Sequence, residues 1–273
     1  IAAITGDYAM FVDGDDWIDN DTIEVCLKYI DIYPELQCIL FSYIKEYPQN
    51  SIPVQVMDSS GYFEGKKAKD KIYRRLFGLS PEEMNHPERM HNIESCCMKL
   101  YRTSFIKKGK FFDAKKVGSS EDALFNMYAL YEIDKAYYIN KNFYHYRKLP
   151  QSLTNSYRPR LVTQWGLLFD MMEGIINEKG LEQEYTVALN NRIALSIFGI
   201  GINELGNSSV GVFGHIKNIQ TYINSTRYVN AIEKLEITKM PVVWKVFMLS
   251  CKWKLSVCIY VILVVMTYLK KRA

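Results

Sequence analysis

The sequence predicts an α/β domain followed by a helical region, on the strength of three observations. A continuous apolar run, an amphipathic helical pattern and a second β-rich run follow one another within the first 44 residues. That alternation marks a strand–helix–strand unit with parallel pairing. From about residue 158 long stretches take on helical periodicity, and the chain ends in an apolar segment flanked by basic residues. The expected organisation is residues 1–157 as the α/β domain, 158–240 as a helical appendage and 241–273 as a membrane-associated tail.

Tyr8 to Val12, YAMFV, has the pattern of a strand buried on both faces. Ile23, Leu27 and Ile30 then recur at helical spacing, with Asp and Asn residues ahead as cap candidates and Pro34 beyond as a stop. CILFSYI, residues 38–44, is rich in β-branched and aromatic side chains and predicts the second strand. Residues 45–65, with Pro48, Pro53 and Gly61, read as a turn-rich excursion or a β-ribbon. KAKDKIYRRLFGL, 67–79, predicts a short amphipathic helix ending near Gly78. EDALFNMYALY, 121–131, predicts another, with Leu124, Met127, Tyr128 and Tyr131 on one face. AYYINKNFYHYR, 136–147, alternates like a strand pair or a strand with a bend. Beyond it, helical patterns over 158–179 and 181–204 are separated by Gly180. A Gly/Ser-rich break at 206–214 and a shorter helix around 226–236 follow.

Composition narrows the function classes. Hydrophobic residues make up 48% and charged residues 23% of the 273, which excludes wholesale disorder. Twenty Tyr, 13 Phe and 4 Trp predict an aromatic-rich core with rings left over for sugars or interfaces. The net charge of +4 comes without a dense basic stripe, so nucleic acid is not expected as a partner. The six Cys, at 26, 38, 96, 97, 251 and 258, form no zinc spacing and read as buried cytosolic thiols. Residues 1–12 read as the middle of a domain, so a chain that begins inside one is expected.

The last stretch bears on location. Leu255 to Leu269 is fifteen residues without a charge, short of the ~20 that cross a bilayer. Lys252 and Lys254 precede it, Lys270, Lys271 and Arg272 follow, and Trp244 and Trp253 stand where interfacial anchors would. An interfacial or re-entrant helix on an anionic leaflet is expected, ahead of a buried C-terminal helix.

The chemistry concentrates in MFVDGDDWIDND, Met10 to Asp21. Asp13, Asp15 and Asp16 at the end of a buried strand repel one another unless something positive sits among them. In open α/β sheets that end is also where ligands bind. A hard divalent cation shared with a substrate phosphate answers both points, with Asp13 and Asp15 turned to one site by a bend at Gly14. Asp16 either joins them or caps the next helix. A pure capping cluster explains Asp19 to Asp21 but not Asp13. A calcium EF-hand loop fails because Trp17 and Ile18 stand where a ligand and Gly are required. A haloacid dehalogenase-type phosphatase shares the strand and the Asp-x-Asp but not the residues after it, and is kept as a weaker alternative.

GDYAMFVDGDDWID resembles the central motif of family 2 glycosyltransferases: Gly-x-Tyr, a hydrophobic strand, then Asp-x-Asp-Asp and an aromatic. KLYRTSFIKKGKFFDAKKVGSSEDALFNMYAL is similar to that family's Lys-Leu-Tyr segment and Glu-Asp helix start. YHYRKLPQSLTNS is similar to its Tyr-x-Tyr-Arg followed by a Ser. The three blocks lie in order over residues 6–157. The resemblance implies a partial GT-A (Rossmann-like) nucleotide-sugar transferase domain followed by a helical C-terminal region. It also implies that this is the C-terminal portion of a longer enzyme, lacking the N-terminal nucleotide-binding segment.

Carried over residue by residue, the resemblance makes Asp13 and Asp15 ligands of a divalent cation, Mn²⁺ or Mg²⁺, and of the donor diphosphate, with Asp16 close by. Asp122 becomes the general base, beside Glu121 in the substrate site. Placement at a helix start, where the dipole keeps carboxylates ionised, agrees with that role, although Ser119 and Ser120 as caps and a plain N-terminal charge preference also account for the pair. Arg147 and Ser152 are candidate diphosphate contacts, against readings as a surface Arg and a turn Ser. His145 is a candidate third metal ligand, against a structural histidine between Tyr144 and Tyr146. Lys99 and Tyr101 match Lys-Leu-Tyr, but Cys97-Met98 replaces the aromatic-Asn pair that precedes it in the family.

The implied function is inverting, metal-dependent sugar transfer from a nucleotide-diphosphate donor to a glycan or lipid-linked acceptor. Bacterial surface polysaccharide or glycolipid synthesis, on the cytoplasmic face of the inner or plasma membrane, is the implied setting. The alternative of another class is an inactive truncated remnant or membrane-associated interaction module.

Overall fold

The structure, a computed structural model, describes residues 1–118, 120–148 and 156–272, the last three of these by backbone only. Two compact units divide the chain: Ile1–Leu76 with His91–Ser152, and Phe77–Met90 with Leu153–Ala273.

The first unit is built on a seven-stranded mixed sheet. Its strands are β1 (Tyr8–Met10), β2 (Trp17–Ile18), β3 (Cys38–Glu46), β4 (Ser51–Val54), β5 (Gly61–Glu64), β6 (Lys99–Arg102) and β7 (Lys135–Arg147). The main path runs β1-β6-β3-β7-β2, with β4 beside β3 and β5 beside β7. Helices α1 (Thr22–Ile32), α2 (Lys66–Ala68), α3 (Arg74–Phe77), α4 (Thr103–Ile106), α5 (Ala114–Val117) and α6 (Glu121–Ala129) connect them, and a π turn over Lys69–Tyr73 joins α2 to α3.

β3 and β7 pair in parallel along their length and form the spine of the sheet. Each changes its outer partner midway. β3 gives Cys38–Leu40 to β6 and Tyr43–Glu46 to β4, while β7 gives Lys135–Tyr138 to β5 and Tyr144–His145 to β2. The register slips at Phe41–Ser42–Tyr43, where the partners change, and this bends the spine. Ser42 is fully buried at the slip, its hydroxyl 2.5 Å from Tyr138 Oη and accepting the Val56 N–H at 3.2 Å. Residues 136–147 are therefore one bent strand, and 45–65 supply β4 and β5.

Two expectations change. The first strand and β3 do run in the same direction, but β6 lies between them and is antiparallel to both. As the outermost strand of the path, β1 is half-buried rather than buried on both faces, and it stops at Met10. The start of α1 also differs. Asp21 occupies the cap position without a side-chain capping bond, and the Thr22 hydroxyl and N–H both turn back to the Asp19 carbonyl. The carboxylates of Asp19 and Asp21 are engaged elsewhere, with His145 and Lys141.

The second unit is helical: α7 (Leu161–Lys179), α8 (Gln183–Leu205), α9 (Val212–Asn224), α10 (Thr226–Glu233), α11 (Val242–Lys252) and α12 (Ser256–Arg272), with 3-10 turns at Pro81–Asn85 and Pro87–Arg89. α8 is buried along most of its length and forms the core. Residues 241–273 belong to this unit: Ile259 and Leu263 of α12 are fully buried, and Leu263 sits where a Cβ on Gly201 of α8 would come within 2.4 Å. Among the described residues no helix is long and apolar enough to cross a membrane.

Candidate active site

Two acidic groups from distant parts of the chain meet in the first unit. The first leaves β1. Phe11 anchors this exit, its ring edge-on to Tyr101 at 6.2 Å and to Phe125 at 5.6 Å. Beyond it the chain tightens, the Asp16 N–H donating to the Asp13 carbonyl at 3.1 Å. β2 then pairs antiparallel with β7, and the Asp19 N–H donates to Phe143.

Tyr144 of β7 holds this loop at its centre. Its hydroxyl donates to Asp16 Oδ2 at 2.7 Å and accepts the Asp13 N–H at 3.2 Å. Asp16 Oδ1 accepts the Arg147 N–H at 2.9 Å. Both oxygens of Asp16 are thus engaged by β7, and its role in the loop is structural. The Arg147 guanidinium lies 5.2 Å from the Trp17 ring, whose other contact is a parallel stack on His145 at 4.9 Å.

The second acidic group opens α6. Asp122 Oδ2 accepts the Cys96 N–H at 2.9 Å, which ties the helix start to the 95–98 loop. Asn126, one turn on, is fully buried. Its amide donates to the carbonyls of Glu94 and Asp122 at 2.8 and 3.0 Å, and its oxygen accepts from Tyr101 Oη at 2.6 Å. Phe125 projects from the same helix, three residues after Asp122, and is the ring that receives Phe11. Gly109 lets it: a Cβ there would stand 2.1 Å from that ring. The contact that buries Phe11 thereby brings Asp13 to Asp122.

The electrostatics record that meeting. Asp13 is open to solvent on one side, yet partial burial raises its carboxyl above the usual range. The charges of Asp16, Asp122 and Asp15 push it further the same way, and a hydrogen bond with Cys97 opposes them. Burial likewise raises Glu121, with Asp122 and Asp13 adding to it, and its Oε2 is buried without a hydrogen-bond partner. Asp13, Asp15, Asp16, Glu121 and Asp122 therefore share one acidic neighbourhood, in which Lys99 lies near Asp122 and Lys148 near Asp16. Hard carboxylate oxygens under mutual repulsion suit a divalent cation such as Mn²⁺ or Mg²⁺, which Asp13 and Asp15 would hold.

His145 is placed away from this group. Its Nδ1 is 2.7 Å from Glu46 Oε1 and its Nε2 2.9 Å from Asp19 Oδ1, so both ring nitrogens are taken. The reading of His145 as a third metal ligand with Asp13 and Asp15 does not fit this arrangement, and among the described residues no three His, Cys, Asp or Glu side chains are arranged to hold a metal ion. Burial works against a charged ring, but the hydrogen bonds it donates to Glu46 and Asp19 outweigh it and raise His145 above its ordinary value. Ser152 lies outside the described residues, as does Ser119; Ser120 makes no side-chain cap bond.

The 95–98 loop is the part of the site that residue types concealed. Lys99 is buried, its ammonium turned to the Ser95 carbonyl, and burial lowers its pKa. Met98 has φ +59°, a left-handed conformation that strains an L side chain and suits Asn or Gly. This is the position where the resemblance expects Asn. Tyr144, Asn126 and Phe125 were not legible as site residues beyond their position within the three similar blocks, and Cys96 lies outside those blocks.

No family model matches the chain. At the sequence level it is similar to Glycosyltransferase GlyA of Streptococcus pneumoniae serotype 4, 28% identical over 151 residues, which is 55% of this chain and 20% of that protein. It is also similar to EpsH of Bacillus subtilis strain 168, whose name assigns it provisionally to the glycosyltransferases, 25% identical over 226 residues, 80% of this chain and 60% of that protein. The chain thus spans between a fifth and three fifths of the length of these relatives. Among solved structures it is similar to S. aureus TarS 1–349 in complex with UDP-GlcNAc, with a TM-score of 0.57 and 16% identity over 99% of this chain and 70% of that one. The same TarS fragment in complex with UDP gives a TM-score of 0.51 at 15% identity, over 99% and 69% of the two chains. At these identities the likeness is one of fold. The mixed α/β architecture is therefore shared with a protein solved bound to a nucleotide sugar.

Proposed function

We propose that the α/β unit transfers a sugar from a nucleoside-diphosphate donor to an acceptor hydroxyl, with inversion and with a divalent cation. The observation that carries this reading is that Asp13, coupled to its neighbour Asp15, is also coupled to Asp122 and Glu121, with Cys97 hydrogen-bonded to Asp13 and the Cys96 N–H to Asp122. A cation that would neutralise a donor diphosphate needs carboxylates such as the first pair, and a hydroxyl that must lose its proton needs a base such as Asp122. The glycosyltransferase names of the sequence relatives and the UDP-GlcNAc and UDP complexes of TarS support the reading.

Asp122 is the base. Its Oδ2 is fixed by the Cys96 N–H, which orients the carboxylate and leaves Oδ1 to take the acceptor proton as the hydroxyl oxygen attacks the anomeric carbon. Glu121 binds a sugar hydroxyl, which would satisfy its unpartnered oxygen. Asp13 and Asp15 would hold the cation, which supplies charge neutralisation to the departing diphosphate. Asp16 and Tyr144 position that loop. Arg147, whose guanidinium lies over Trp17, would pair with the diphosphate. A glycan or lipid-linked acceptor, in surface polysaccharide or glycolipid synthesis at the cytoplasmic face of a membrane, completes the reading.

Turnover of Asp122→Asn against a panel of nucleotide sugars, with and without Mn²⁺, tests the assignment. A loss of about 10²- to 10⁴-fold with donor affinity nearly unchanged is expected. Loss of donor affinity in step with turnover overturns Asp122 as the base, and indifference to Mn²⁺ overturns the cation.

A further inference from the structure

α11 and α12 leave an apolar surface uncovered. While Ile259 and Leu263 are buried, Val257, Val261, Val264, Val265 and Tyr268 are 40–58% exposed. Their spacing of one, three and four residues puts them on one side of α12. Val242 and Val246 of α11 are 75% and 49% exposed, and Trp253, at the joint between the helices, is 64% exposed.

Charge is segregated along the sequence here, although Lys239 faces Glu82 at 4.0 Å. No Asp or Glu follows Glu236, whereas seven Lys and Arg do. Those seven exceed the whole chain's net +4, so residues 1–236 carry a net −3. Lys252 and Lys254 flank Trp253, and all three are exposed.

The joint itself keeps a lysine where glycine is the easier residue. The Leu255 N–H donates to the Ser250 carbonyl at 2.9 Å and the Lys254 N–H to Cys251 at 3.1 Å, a Schellman closure of α11. Its left-handed position is filled by Lys254 at φ +57°. Backbone ease is given up there for a cation beside an exposed Trp.

We propose that this face docks on an anionic phospholipid surface, with α11 and α12 lying in the interface rather than crossing it. Valines and Trp253 enter the headgroup boundary, and the acid-free basic run meets the negative charge of the leaflet. A uniformly negative surface is the partner that the exposed Lys252 and Lys254, in a stretch without one acid, complement. The inference goes beyond sugar transfer and does not rest on it.

Cys258 is exposed among six otherwise buried cysteines, so an environment-sensitive fluorophore can be placed on α12. The labelled chain, and the unlabelled chain by co-sedimentation, are titrated with vesicles of phosphatidylcholine alone or mixed with phosphatidylglycerol. A blue shift and co-sedimentation only with the anionic vesicles, weakened by added salt, are expected. Replacing Lys252 and Lys254 together by Gln lowers partitioning about thirtyfold and leaves Tm in place. Lys254→Gly raises Tm and still weakens vesicle binding, a combination that a purely structural role for Lys254 does not give. Equal binding to neutral vesicles, or no binding together with self-association in the ultracentrifuge, overturns the proposal.

Discussion

Asp13 and Asp19 belong to one short acidic stretch and live under opposite electrostatic conditions. Asp19 meets His145, and Asp21 beyond it meets Lys141. Asp13 meets Asp15, Asp16 and Asp122, and its nearest relief is a hydrogen bond with Cys97. Acids supplied with a cation by the fold hold the fold together. Acids gathered by the fold around Asp13 repel one another instead, at some cost in stability, as the proposed ligand site would require. The dividing line is Asp16, whose two oxygens are both spent on β7.

The largest effect that tests this division is Asp13→Asn. Removing one charge from the repelling group raises Tm, while, on the proposed function, the loss of a cation ligand lowers transfer by about 10²-fold or more. Asp19→Asn, which takes the charge from its bond to His145, lowers Tm instead. Thermal melts of the two variants therefore move in opposite directions. Movement in the same direction dissolves the distinction between the halves of the stretch.

Next in size is His145→Gln. The Glu46–His145–Asp19 bridge ties β3, β7 and the segment after β2 together, and losing its charge-assisted bonds costs about 1–2 kcal/mol after allowance for solvent screening. His145 titrates above its ordinary value of 6.5, so its stabilisation is complete below pH 6.5 and fades as pH rises through the raised value. Glu46 is held below its ordinary 4.5 by the Ser51 hydroxyl and by His145, so its share is present above pH 4.5 and lost as pH falls through the lowered value. The difference in unfolding free energy between parent and variant should be greatest between pH 4.5 and 6.5. A difference that is flat with pH, or that grows toward alkaline pH, removes the charged histidine from the account.

Sequence reading reached local features and faltered where partners are far apart. β3, α1, α6, α7 and α8 announce themselves by runs and periods within their own residues. β2, two residues long, has no run to detect, and β6 was invisible as the strand between β1 and β3 because only pairing across the sheet creates it. α9 follows Gly211 and contains Gly214, which read as part of a break. In the site, acids could be named because carboxylates are rare at a strand end. The Cys96 N–H that orients Asp122 could not, since any residue supplies a backbone N–H. The Phe11–Phe125 contact beside Asp13 and Asp122 joins a half-buried ring to an ordinary core residue.

The smallest expected effect comes from Lys141→Gln. Lys141 reaches Asp21 at 2.6 Å and stands 4.5 Å from the Phe143 ring, and its bond lowers the Asp21 carboxyl. Both side chains are nearly half exposed, so water and salt screen the pair, and two long side chains must be ordered to make it. Tm should therefore stay where it is in Lys141→Gln, measured beside His145→Gln in the same buffer at low salt. If instead Lys141→Gln costs as much as His145→Gln, the half-exposed pair is stabilising beyond what screening allows. Pairing alone, rather than burial of the pair, would then separate the structural acids from those that await a ligand.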